Sequence, residues 1–255
     1  MKRTLLIITA CCCYLFFAGA CSSSNVADSP KTADDAYALA MKEYNNKKYT
    51  EASKYFDIIK LQYPASSLAD DAQYYLADIN FQRKEYQLAA FAYNMLRRVY
   101  PRSEYSKEAL FRTAICFYKL SGPYDREQDQ TLKAIRQFGE FQATYPDDDS
   151  LCAQATNYIV ELREKLGRRE FFNGVVYEKM DYLKSALIYF NSVIDNYSDT
   201  KVVEDAYFEK LNVLCRMHKS EELKTALELF KSNFPKSLYL PKVGKIEQQL
   251  ANGFK

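Results

Sequence analysis

The 255-residue chain has no tryptophan and one histidine, and only seven glycines and seven prolines. So few turn-formers exclude a β-rich or loop-rich fold. A single histidine, His218 in Arg216-Met217-His218-Lys219, excludes the multi-histidine metal and acid–base sites of many enzymes. Its setting is a polar helix end, where a solvated side chain is expected. There is no Gly-x-Ser-x-Gly, no His-Glu-x-x-His and no phosphate-binding glycine loop. Asp147-Asp148-Asp149 lacks the ligand spacing and the glycine of a calcium loop and reads as a helix cap. Non-enzymatic function is the expectation, with no cofactor and no metal.

What is abundant is aromatic: 22 Tyr and 16 Phe. They fall into register. Tyr63-Pro64, Tyr100-Pro101 and Tyr145-Pro146 are followed by Tyr197-Ser198 and Phe234-Pro235. Twelve residues before the second member of each pair stand Ala52, Ala89, Ala134, Ala186 and Leu223. Eight before stand Phe56, Tyr93, Phe138, Phe190 and Leu227, and five before stand Ile59, Leu96, Phe141, Val193 and Phe230. Apolar residues at helical spacing ahead of a helix-stopping proline, repeated five times, predict an all-α solenoid of about five helical hairpins. Such stacks make binding surfaces more often than active sites.

The spacing predicts hairpins of 32–45 with 49–62, 67–82 with 86–99, and 103–120 with 131–144. Ser67 and Ser103 read as N-caps, and Ala40, Ala77 and Ala114 as close-crossing positions. The 37-residue period stretches to 45 between Pro101 and Pro146, which the Gly122-Pro123 turn assigns to a longer loop over 121–130. It stretches to 52 between Pro146 and Ser198. A helix capped by Asp147–Asp149 fills that gap through 151–166 and continues past Gly167 toward Met180, with Gly174 at the small, close-contact position. Its end pairs with 182–196; 201–217 pairs with 221–233. Residues 236–255 form a short amphipathic end piece.

The first 21 residues read as an export signal. Lys2 and Arg3 precede an apolar run over 4–17, and Ala18-Gly19-Ala20 precedes Cys21. This resembles the bacterial lipobox, with Ala18 where leucine is usual. The resemblance implies cleavage after residue 20, lipidation of Cys21 and a polar tether over 21–31. A plain signal peptide or an uncleaved anchor are the alternatives, and the run is shorter than a spanning helix needs. The serine that follows implies sorting to the bacterial outer membrane. Without Lys2 and Arg3 the chain carries 33 basic and 33 acidic residues, which argues against nucleic-acid binding. Cys116, Cys152 and Cys215 remain, with no Cys-x-x-Cys; each reads as a buried small hydrophobe, a Cys116–Cys152 bridge being a lesser possibility.

The register matches the tetratricopeptide repeat in Ala40, Tyr49, Ala52, Phe56 and Pro64. The chain over about 30–235 further resembles the BamD family, lipoproteins of the outer-membrane β-barrel assembly machinery. The resemblance rests on the lipobox and tether, and on Tyr49 to Pro64 with Ala72 after it. It rests also on Asp129-Gln130 through Ala134 and Phe138 to Tyr145-Pro146. The last part is Asn157–Leu166 leading to Phe171, Tyr177 and Asn196-Tyr197-Ser198-Asp199-Thr200. Ser198 departs from the usual proline.

The resemblance implies a periplasmic, lipid-anchored outer-membrane protein with two halves. Residues 32–146 would receive unfolded outer-membrane proteins. Residues 147–255 would hold the periplasmic domains of a BamA-like barrel-forming subunit, beside the other assembly lipoproteins. Tyr37, Met41, Tyr44, Tyr74, Asp78, Phe81, Phe111, Arg112, Ile115, Tyr118 and Lys119 take the groove positions of the pattern. Aromatics there suit the aromatic end of a strand segment, and Arg112 and Lys119 a chain-terminal carboxylate. The bland reading of each is packing between helices. Competing functions are a peptidoglycan-associated or division adaptor, which often carries a coiled coil, and a glycan-capturing lipoprotein, which tends to expose tryptophan.

Overall fold

A computed structural model describes residues 30–254. They belong to two compact units, Met1–Leu68 and Ala69–Lys255. Among the described residues all regular structure is helical, in eleven helices.

The first unit holds one hairpin, α1 (Ala33–Asn45) and α2 (Tyr49–Gln62). Thr32 caps α1, its side chain accepting from the Asp35 amide at 3.0 Å. Ala36 and Ala40 of α1 are fully buried, as are Ala52, Phe56 and Ile59 of α2. The alanines remove side-chain bulk so that the two helices approach closely.

The second unit is a helical solenoid. It runs α3 (Ala69–Gln82), α4 (Tyr86–Val99), α5 (Ser106–Leu120), α6 (Asp129–Thr144), α7 (Asp149–Lys179), α8 (Leu183–Asn196), α9 (Val203–Arg216), α10 (Ser220–Asn233) and α11 (Leu240–Ala251). Each helix packs on the next in the chain, and α11 closes against both α9 and α10. That nearest-neighbour pattern defines a repeat stack, whose stability is carried locally from hairpin to hairpin.

All fifteen register positions are buried, from Ala52, Phe56 and Ile59 to Leu223, Leu227 and Phe230. The residue before each Pro or Ser caps its helix in nearly one conformation: φ is −127° at Tyr63, −123° at Tyr100, −129° at Tyr145, −131° at Tyr197 and −128° at Phe234. A proline after four of them disfavours the helical region. Tyr197 adopts the same φ before Ser198, so proline reinforces this stop and is not required for it.

Helix starts correct the expectation in two places. Ser67 is exposed and α3 begins at Ala69; α5 begins at Ser106 with Tyr105 as its cap residue and no side-chain cap bond. Ser103 instead closes a turn, its Oγ accepting from the Tyr105 amide at 3.2 Å, and Ser66 does the same for Leu68. Three residues after each Tyr or Phe of the register stand Ser66, Ser103, Asp148, Thr200 and Ser237, and each amide returns to the aromatic residue's carbonyl. This polar step is a second repeat signal. Only Asp148 also caps a helix, accepting from the Leu151 amide at 3.1 Å.

The turns inside the hairpins obey a third rule. Lys47, Lys84, Asp181 and His218 all take positive φ, between 55° and 63°. In each the following amide reaches back five residues, as Glu85 does to Asn80 and Lys219 to Leu214, closing a Schellman motif usually reserved for glycine. The third hairpin has no such turn; residues 121–128 form the expected loop between α5 and α6. That loop lies on α7: Lys165 Nζ donates to Ser121 Oγ at 2.7 Å, Arg169 reaches the Tyr124 and Arg126 carbonyls, and Tyr124 meets Phe172 edge-on at 5.6 Å.

The connecting helix α7 is continuous over 31 residues. Gly167 and Gly174 do not break it. A Cβ on Gly167 would stand 2.9 Å from Thr200 Oγ1, and one on Gly174 2.6 Å from Phe190 Cε1. Both glycines serve close packing. No described helix is long and apolar enough to cross a membrane. Cys21 and the signal and tether readings lie outside the described residues.

Candidate functional site

The residues named from sequence divide by position. Tyr37, Met41 and Tyr44 stand on α1 and pack within the first unit. Tyr37 meets Phe56 edge-on at 6.1 Å, Tyr44 meets Tyr49 at 5.8 Å, and Met41 is half-buried.

In the second unit, α3 and α5 bring the others together, because residues three or four apart share a helix face. Tyr74 and Asp78 are buried, and Phe81 is half-buried one turn on. Tyr74 stacks on Tyr105 at 4.3 Å, and Tyr105 donates to Asp71 at 3.0 Å. Asp78 accepts from Tyr93 Oη and from Gln82 Nε2, each at 3.2 Å. Arg112 of α5 lies over the Phe81 ring at 5.4 Å and donates to Glu108 at 3.1 Å. Burial, and then the Glu108 carboxylate, push the Tyr74 hydroxyl well above its ordinary pKa. Burial and Asp78 do the same to Tyr93. Both phenols stay protonated and act as donors. Tyr74 and Asp78 are engaged within the stack, and Phe111 packs edge-on against Phe138 and Phe141 at 5.7 and 5.1 Å.

Between α5 and α7 opens a concavity of about 510 Å³, lined by Lys107, Glu108, Phe111, Arg112 and Ile115 of α5 and by Leu151, Gln154 and Tyr158 of α7. Three residues expected at the groove line it. Its floor is apolar, and Lys107 and Arg112 stand on its rim. Their charges are balanced in place: Lys107 pairs with Asp148 at 2.8 Å and Arg112 with Glu108. Lys107 is exposed in its pair and Arg112 is half-buried in its own; partly exposed pairs of this kind contribute little, so either cation can exchange its partner for an incoming carboxylate. Tyr118 sits further along α5. It donates to Glu161 at 2.8 Å and packs on Tyr158 at 4.6 Å, and burial with the Glu161 bond pushes its hydroxyl up to about 12. Lys119 is exposed, over the Tyr118 ring at 5.7 Å. Sequence reasoning missed Lys107, Leu151, Gln154 and Tyr158. The α7 residues belong to the connecting helix, whose pairing across the groove has no local signature; Lys107 is one turn ahead of Phe111 and was legible.

Cys116, Cys152 and Cys215, the cysteines among the described residues, are free. Cys116 is buried, and burial pushes its thiol up to about 12. Cys152 and Cys215 correct the expectation of burial: both are half-exposed, bonded to the Tyr145 carbonyl and Gln249 Oε1, each at 3.3 Å. Among the described residues no group of three or more His, Cys, Asp or Glu is placed to hold a metal. His218 is exposed and leans on Phe254 at 4.8 Å.

Residues 29–229 match the model of the YfiO family, described as outer membrane lipoprotein. The chain belongs to the YfiO family. Among curated relatives, the outer membrane protein assembly factor BamD of Neisseria gonorrhoeae is 23% identical over 237 residues, covering 87% of this chain and 88% of that protein. Among solved structures, a tetratricopeptide repeat protein from Parabacteroides merdae has a TM-score of 0.38 at 13% identity, covering 87% of this chain and 75% of its own. The TPR2AB domain of yeast Sti1, in its pHSP90 complex, also gives 0.38 at 13% identity, covering 88% of this chain and 98% of its own. The YfiO match spans the first four repeats of the aromatic register and enters α10, stopping before Phe230 and Phe234-Pro235, so the family assignment and most of the fold rest on the same residues.

Proposed function

We propose that this YfiO-family chain is a non-catalytic assembly factor, tethered through lipidated Cys21 to the periplasmic face of the outer membrane. In this reading it supports folding and insertion of β-barrel proteins. Its first-helix face receives segments of unfolded outer-membrane proteins, and its C-terminal half, residues 147–255, holds the periplasmic domains of the barrel-forming subunit. Family membership and the Neisseria relative support the coarse reading.

The observation that carries the client site is the α5–α7 concavity, with its apolar floor of Phe111, Ile115, Leu151 and Tyr158 and its rim cations Lys107 and Arg112. An extended segment ending in an aromatic residue and a free carboxylate matches both parts: the ring meets the floor, and the carboxylate replaces Glu108 or Asp148 on a rim cation. The exchange trades one partly exposed ion pair for another. It favours weak, reversible capture, which suits a client that must be passed on.

A labelled synthetic peptide with that ending, titrated into the detergent-solubilised full chain, tests this. Arg112→Ala should weaken binding by about tenfold, the scale of one charge-assisted hydrogen bond. Amidation of the peptide's carboxyl end should cost a similar factor in the parent and little in Arg112→Ala. Equal binding of the free-acid and amidated peptides contradicts the proposed carboxylate contact.

A further inference from the structure

A second concavity lies between second helices. α4 and α6 flank α5 and leave between them a groove of about 440 Å³. Asn94 and Arg97 of α4 form one wall; Lys133, Arg136, Gln137 and Glu140 of α6 form the other; Phe117 of α5 is the floor. The groove shares no residue with the α5–α7 concavity.

Its electrostatics are one-sided. Glu140 is its single carboxylate and is engaged at both oxygens, by Arg97 at 2.9 Å and by Gln137 Nε2 at 2.9 Å. That pair clamps α4 to α6 across the groove. Lys133 and Arg136 are exposed and make no ion pair among the described residues; Lys133 Nζ stands 5.9 Å over the Phe117 ring. Three cations against one carboxylate, inside a recess, is a local excess in a chain whose charge beyond the signal is balanced. Phe91 and Arg98, three residues before and four after Asn94, continue its stripe of α4. Arg98 is exposed, and Phe91 keeps 66% of its surface in water. A large apolar side chain held in solvent on the α4 stripe that continues a cation-rich groove fits a partner that brings both carboxylates and an apolar group.

We propose that the α4–α6 groove docks an acidic, extended segment of a partner polypeptide that carries an apolar side chain beside its carboxylates. The carboxylates pair with Lys133 and Arg136, the apolar side chain covers Phe91, and the Asn94 amide bonds the peptide backbone. A polypeptide fits better than anionic lipid, because Phe117 lies half-buried between two helices, where a strand reaches and a flat headgroup layer does not.

The test uses the full chain in non-ionic detergent and a fluorescein-labelled dodecapeptide of Asp and Glu with one central Phe, read by anisotropy. The acidic peptide should bind at low salt, more weakly at high salt, and a Lys-rich counterpart should not. The double change Lys133→Glu with Arg136→Glu should lower affinity at least tenfold, and Phe91→Ser about threefold, the loss of part of one apolar contact. All three side chains are exposed, so circular dichroism should be unchanged. If the charge reversal perturbs folding, the neutral pair Lys133→Gln with Arg136→Gln should still weaken binding. Three results overturn the proposal: no preference for the acidic over the basic peptide, parental affinity in the charge-altered variants, or capture by phosphatidylglycerol vesicles that requires Lys133 and Arg136 and that the peptide does not compete.

Discussion

Gly174 of α7 lies against the ring of Phe190 of α8 so closely that a Cβ there would stand 2.6 Å from Cε1 and 2.8 Å from Cδ1. Phe190 is fully buried, so its ring has nowhere to retreat. The contact locks the connecting helix to the fourth hairpin.

Gly174→Ala is therefore expected to destabilise the chain by about 1–3 kcal/mol through overpacking, although alanine is the better helix former. Gly139→Ala, in α6 with nothing within 4 Å of the new methyl, is expected to stabilise by about 0.5–1 kcal/mol. Denaturant melts of the two variants should move in opposite directions.

Lys84 takes φ 63° at the Schellman turn between α3 and α4, and its side chain is exposed. A left-handed lysine is strained by about 1–2 kcal/mol relative to its right-handed form, a cost that glycine avoids. Lys84→Gly should gain about 0.5–1 kcal/mol after the entropy of the unfolded glycine is subtracted. Thermal melting measures it; a loss of stability would mean that the lysine side chain, not the backbone, matters at this turn.

These contacts mark where the sequence was legible. All fifteen positions of the aromatic register lie in the core of the second helices, because burial on one face leaves a periodic trace; Ala90 and Ala226, also buried there, fall outside it. Hairpin boundaries followed to within about three residues. Helix starts were read less well: Ser67 and Ser103 look like caps, yet the recurring polar step is Ser66, Ser103, Asp148, Thr200 and Ser237, serving a turn ahead of the helix. Gly167, which the connecting helix was expected to run past, is a packing notch for Thr200. Nothing local announces that the 121–128 loop would bond α7, or that Asp78 would meet Tyr93, since both partnerships cross between helices. The candidate site was half legible: Phe111, Arg112 and Ile115 were placed, and the α7 wall was not.

Arg163 holds Asp199 at two oxygens, Nε to Oδ2 at 2.7 Å and Nη2 to Oδ1 at 2.6 Å, and also bonds the Asn196 carbonyl at 2.8 Å. The guanidinium bond lowers the Asp199 carboxyl below its ordinary 3.8. The depressed folded pKa means that the pair's stabilisation is complete above about pH 4 and is lost as pH falls through the folded value. Asp199→Asn should be less stable than the parent at pH 7, and the gap should narrow as pH falls below the ordinary carboxylate range and through the depressed folded value. A gap independent of pH would assign the effect to packing.

Cys21→Ser should release the chain from membranes into the soluble fraction, because lipidation is the proposed anchor. Continued sedimentation with washed membranes would contradict it.

Full-length tagged protein, recovered from its own cells in mild detergent, tests the central claim most directly. Co-purification of a large β-barrel protein carrying tandem periplasmic domains, in stable amount, is the expected result. Recovery of the chain alone, or only with peptidoglycan-associated proteins, would contradict it.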